Sequence, residues 1–127
     1  MERWMKICLG SFLLVTLILL GLSAWAAPDL GKAKKQSAEM VEHAKAMVDH
    51  GEAGHLDVMT KHAKAMLDSA HKALDSMPPG NMHAESAADH IKLAIEHATA
   101  AIDRQSVERA REALDHAREG NKHAQQM

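Results

Sequence analysis

Apolar residues recur three and four apart in four stretches of the chain, 32–50, 57–77, 82–102 and 107–125, with charged residues between them. That is the period of an amphipathic helix. Alanine, lysine and glutamate dominate these stretches and favour helix, and no β-branched run argues for strand. In the first, Met40, Val41, Met47, Val48 and Gly51 lie within about 60° of Ala44 on a wheel of ~100° per residue, so one narrow stripe faces a core. Breakers separate the stretches: Gly51 and Gly54, then Pro78-Pro79-Gly80-Asn81, then the polar run 103–106 ending in Ser106, a ready N-cap. Connections this short make neighbouring helices antiparallel. The pattern predicts an all-α, up-down-up-down four-helix bundle.

The four stretches are related to one another. His43-Ala-Lys-Ala-Met-Val-Asp49 returns 19 residues later as His62-Ala-Lys-Ala-Met-Leu-Asp68. More loosely, His90-Ile-Lys-Leu-Ala-Ile-Glu-His97 follows the run His43–His50 by 47 residues, and Arg109-Ala-Arg-Glu-Ala-Leu-Asp-His116 comes a further 19 on. Two repeated αα-hairpins joined by the Pro-Pro-Gly turn account for this spacing.

Residues 1–26 follow another pattern. Arg3 and Lys6 lead into an almost unbroken apolar run over 7–22, and Ala24-Trp25-Ala26 is a small-x-small site of the kind signal peptidase accepts. The run is shorter than the ~20 residues that cross a bilayer. The expectation is a cleaved signal peptide over 1–26 and a domain over 27–127, periplasmic and without membrane attachment.

Setting the leader apart changes the composition. Cys8, Trp4, Trp25 and Phe12 all lie within it, so 27–127 holds no cysteine and no aromatic residue, yet keeps all 10 histidines. Thirteen basic residues there face 16 acidic ones, a net charge of −3 with His neutral. Without cysteine, a disulfide framework, a thiolate metal site, a c-type haem attachment and a cysteine nucleophile are excluded. Without aromatic platforms or positive charge, the chain does not read as a nucleic-acid binder. The core must come from 20 Val, Ile, Leu and Met residues and 21 alanines. So light a core leaves the choice between a monomer and a weak dimer open.

The histidines carry the candidate chemistry. On helical wheels His43, His50, His55, His62, His83, His90, His97, His116 and His123 share one flank, about 80–140° from the core stripe, and His71 falls on the other. In an antiparallel bundle such flanks meet in pairs across shared grooves, either helices 1 with 2 and 3 with 4, or 2 with 3 and 4 with 1. Histidines seven apart are separated by ~10.5 Å of helix rise, too far for one ion at ~2.0–2.1 Å from each nitrogen. An ion would therefore draw ligands from two helices or from a neighbour of another type. Met47, Met59 and Met66 stand three or four residues from a histidine, and Glu39, Glu112 and Glu119 stand four before His43, His116 and His123. Imidazole suits Cu(II), Ni(II) and Zn(II), and thioether suits Cu(I). Several open sites for divalent ions, copper first and nickel or zinc after it, fit this ligand set better than one closed cage.

Enzymatic constellations are missing. The chain has no His-Glu-x-x-His, and its sole Glu-x-x-His, Glu52-Ala-Gly-His55, falls in a turn. A second class of function remains: a periplasmic helical chaperone or acid-stress module whose ten histidines swing the charge from −3 towards +7 on protonation.

The run Val41-Glu-His43-Ala-Lys-Ala-Met-Val-Asp-His50-Gly-Glu-Ala-Gly-His55, with Lys61-His62-Ala-Lys64 and His90 to His97 after it, resembles the small metal-binding protein family of bacteria. The H-G-x-x-G-H turn is the most specific element. The resemblance implies a periplasmic four-helix bundle that binds several divalent ions through heptad histidines, with a preference for copper. The chain departs from that pattern with Ser69 and Arg109 at two repeat positions and Ile102 where a second H-G-x-x-G-H turn would end.

Overall fold

A computed structural model describes residues 28–127, so the expected signal peptide lies outside the described residues. Four helices follow one another: α1 Leu30–Glu52, α2 Leu56–Asp75, α3 Met82–Arg104 and α4 Val107–Gln125. Their starts are chemically marked. The Asp29 carboxylate accepts from the Lys32 amide at 3.0 Å, which carries α1 two residues further back than the apolar pattern suggests. Asn81 Oδ1 accepts from the amides of His83 and Ala84 at 2.9 and 3.2 Å, and Ser106 Oγ from that of Arg109 at 3.3 Å. Each satisfies amide donors that the first helical turn leaves unpaired. At the other end, α2 stops at Asp75 rather than 77, because Pro78 disfavours helical geometry in the residue before it.

α1 lies against α2 and α3 against α4, and the ring closes through α1 with α4 and α2 with α3. This is the expected antiparallel four-helix bundle. Its core is made of small side chains: fourteen alanines are buried, and the largest fully buried residues are Met40, Met47, Met59, Met66 and Ile91. Alanine contributes little apolar area per residue but lets helix backbones approach closely, and the long, adaptable methionines fill the gaps that remain. All four buried methionines belong to α1 and α2, whereas α3 and α4 bury alanine with Ile91, Leu114 and Gly120. Outside, Glu52 accepts two hydrogen bonds from Arg111 at 3.0 and 2.8 Å and clamps α1 to α4. No helix among the described residues is long and apolar enough to cross a membrane.

Candidate metal centre

The α1–α2 turn uses two glycines for different reasons. Gly54, at φ +77°, takes the left-handed conformation that ends α1. Its amide donates to the Gly51 carbonyl at 3.0 Å, and the His55 amide donates to the His50 carbonyl at 2.9 Å, so the backbones of two histidines are joined directly. Gly51 is there for space. A Cβ on it would stand 2.8 Å from Met59 Sδ and 3.1 Å from Val107 Cγ2, where α1 meets α2 and α4.

From this turn a ladder of imidazoles runs down the α1/α2 groove. The His50 ring lies 5.9 Å from His55 and stacks on His62 at 5.2 Å with 4° between planes, and His62 is 6.0 Å from His43. The α3/α4 groove holds a second ladder. His83 stands 6.3 Å from His123, which stacks on His90 at 5.6 Å and 9°; His90 is 5.8 Å from His116, which stacks on His97 at 5.3 Å and 9°. The paired grooves are therefore helices 1 with 2 and 3 with 4, the first of the two arrangements that the helical wheels allow. His43, His50, His62, His90, His97, His116 and His123 are half-buried, His55 and His83 exposed. His71 is exposed on α2 and joins neither ladder.

The second ladder is not a copy of the first. His50 and His62, which stack, are 12 residues apart, whereas His97 and His116 are 19 apart, one heptad more. Ala98 and Ala101 stand where the first hairpin has Gly51 and Gly54, so nothing breaks α3 at Ile102 and the helix continues to Arg104. Gln105 then takes the left-handed turn position at φ 49°. Ile102 packs against the core, and His116 rather than Arg109 faces His97.

The neighbouring candidates sort by contact. Met47, Met59 and Met66 are fully buried, so their sulfurs belong to the core and not to the grooves. Glu39 pairs with Lys35 at 3.7 Å and Glu119 with Lys122 at 3.4 Å. Glu112 does reach an imidazole, but on the facing helix: its Oε2 lies 2.9 Å from His97 Nδ1 and accepts a hydrogen bond from Arg109 Nη1 at 2.7 Å. Sequence spacing had pointed Glu112 at His116. Glu42, Asp49, Asp89, Glu96 and Asp115, each next to a histidine in sequence, are exposed on the outer faces.

Among the described residues no three His, Cys, Asp or Glu side chains converge on one point, so the grooves present pairs of imidazoles rather than a cage. Two nitrogens on one ion, each ~2.0–2.1 Å from it, stand roughly 3–4 Å apart, a span that rings with centroids 5.2–6.3 Å apart can meet. Nδ1 of His90 and of His123 is buried without a hydrogen-bond partner. Burial, with repulsion from His50 and His43 added, pushes the His62 imidazole below its ordinary value and favours the neutral, ligating form.

Two half-buried imidazole ladders on an all-helical bundle define a class of histidine-rich helical metal binder. Over residues 5–127 the chain matches the small metal-binding protein family, and it belongs to that family. The family is one of metal-binding proteins and not a known family of enzymes. Neither the curated proteins nor the solved structures yield a match to this chain.

Proposed function

We propose that the protein buffers or sequesters copper in the periplasm, and less selectively nickel and zinc, through imidazole pairs drawn from facing helices. The observation that carries the reading is the ladder itself: nine histidines, eight from the four helices and His55 from the α1–α2 turn, stand ring against ring in two grooves. Isolated surface histidines have no reason to meet. Pairs completed by water make open sites that exchange their ions readily, as a buffer requires, whereas a structural site would be closed. The family assignment supports metal ions as the cargo. The donor set supports copper, because Cu(II) heads the divalent series for nitrogen ligands. The leader over 1–26, with its basic start, apolar run and Ala24-Trp25-Ala26 site, supports export and cleavage.

Titration calorimetry at neutral pH with Cu(II), Ni(II) and Zn(II) tests the proposal. More than one Cu(II) bound per chain, with affinity falling from Cu(II) to Ni(II) and Zn(II), is the expected result. Fewer than one Cu(II) at micromolar concentration would overturn it.

A further inference from the structure

The turn end of the α3/α4 ladder carries the one carboxylate–imidazole contact among the described residues. Glu112 Oε2 lies 2.9 Å from His97 Nδ1 and 2.7 Å from Arg109 Nη1. An ionised carboxylate only accepts hydrogen bonds. A lone pair on Nδ1 would be repelled by a carboxylate oxygen 2.9 Å away, so the contact favours the ring proton on Nδ1 and leaves the lone pair on Nε2. Arg109 sits one turn before Glu112 on α4 and holds the carboxylate against the ring of His97, whose side chain is 20% exposed, which biases that ring towards one tautomer. The guanidinium and carboxylate cancel, so no net charge opposes an incoming cation. Stacked on this ring at 5.3 Å is His116.

No other rung has such support. Nδ1 of His90 and of His123 is buried without a partner, and no carboxylate bonds His43, His50 or His62. Metal-bound histidines nearly always donate their second N–H to a carboxylate, carbonyl or water, which fixes the tautomer and raises ligand basicity. A rung already in that state spends no free energy on reorienting when an ion arrives.

We infer that Glu112, held by Arg109, is a positioning residue that makes His97 and His116 the first rung of either ladder to take a divalent ion. The inference rests on the metal-binding reading above and adds an order of filling to it. The register of the second hairpin creates the arrangement. Because the stacked histidines of this hairpin are 19 residues apart, one heptad more than His50 and His62, His116 rather than Arg109 faces His97, and Arg109 is free to reach Glu112 instead.

The test uses nitrogen-15 labelled protein and Zn(II), which is diamagnetic and leaves every histidine visible to NMR. Without metal, the ring nitrogens of His97 should report the Nδ1–H tautomer, and in Glu112→Ala that signature should be lost. Substoichiometric Zn(II) should shift His97 and His116 before the other eight histidines. Glu112→Ala should weaken that rung by about 10- to 100-fold, so that other rungs fill first. Glu112→Gln, whose amide oxygen still accepts, should keep the original order. A purely structural role for Glu112 would leave the tautomer and the order unchanged in Glu112→Ala. That result, or a wild-type titration in which His43, His50 or His62 responds first, overturns the inference while leaving metal binding intact. A wild-type protein in which no histidine responds to Zn(II) or Cu(II) overturns both.

Discussion

The two hairpins of the bundle do the same thing with different means. α1 and α2 pack on four buried methionines, turn through Gly54 and line their groove with His43, His50, His55 and His62. α3 and α4 pack largely on alanine, turn through Gln105 and line theirs with five histidines, ending on the Arg109–Glu112–His97 contact. The first hairpin puts more of its stability into apolar filling, the second more of its polar groups into orienting a ligand. A chain without aromatic residues in 27–127 has few large side chains to spend. Where methionine fills the core, the groove is simple; where alanine does, the groove holds the longer ladder and the buried unpartnered nitrogens.

The contrast can be broken first at the core. Met47 is fully buried, and Met47→Ala should cost about 2–5 kcal/mol in urea unfolding. A loss below ~1 kcal/mol would show that the methionine core of the first hairpin is not what holds it. Loaded metal should act on the same scale. Cu(II) at 100 times its dissociation constant adds ~2.7 kcal/mol per site, and melting measured with and without it should rise accordingly. Removing His50 and His62 together, or His97 and His116 together, should lower that rise, and the second pair should matter more. Equal losses would erase the difference between the ladders.

The turns offer a smaller and opposite pair of effects. Gly54→Ala forces a side chain into φ +77° and should destabilise by about 1–2 kcal/mol. Gln105→Gly relieves φ 49° in the other hairpin and should stabilise by up to ~1 kcal/mol. Denaturant midpoints that move in the same direction for both substitutions would contradict the shared turn geometry. The smallest effect is that of acid. Because His62 is held below its ordinary pKa, the unfolded chain takes up its proton first as pH falls below ~6.5. Stability that is complete above that pH is then lost below it. Hydrogen exchange should show α1 and α2 loosening over that window, and faster exchange confined to α3 and α4 would speak against it.

Much of this was legible in the residues, for definite reasons. The heptad spacing of His83, His90 and His97 places them on one flank at any helix radius, and the glycines of His50-Gly-x-x-Gly-His55 announce a positive-φ turn. Three things were hidden. Which helices share a groove depends on the hand of the bundle, which identical flanks on four helices do not reveal. The heptad that the second hairpin gains between its stacked histidines is written in an absence, Ala98 and Ala101 where a break would need glycine. Glu112 stands one turn before His116, and only the approach of α3 shows that its carboxylate crosses to His97, drawn by Arg109. Ala98 and Ala101 signal only that α3 runs further past His97 than α1 runs past His50.

The central claim is that the two grooves, and not the acidic outer faces, hold the ions. Anomalous diffraction at the copper edge from crystals loaded with Cu(II) tests it most directly. The account predicts at least one peak in each groove, ~2.0–2.1 Å from imidazole nitrogens of facing helices, with the strongest at His97 and His116. Peaks only at exposed carboxylates such as Glu42, Asp49 or Asp89, with both ladders empty, would contradict it.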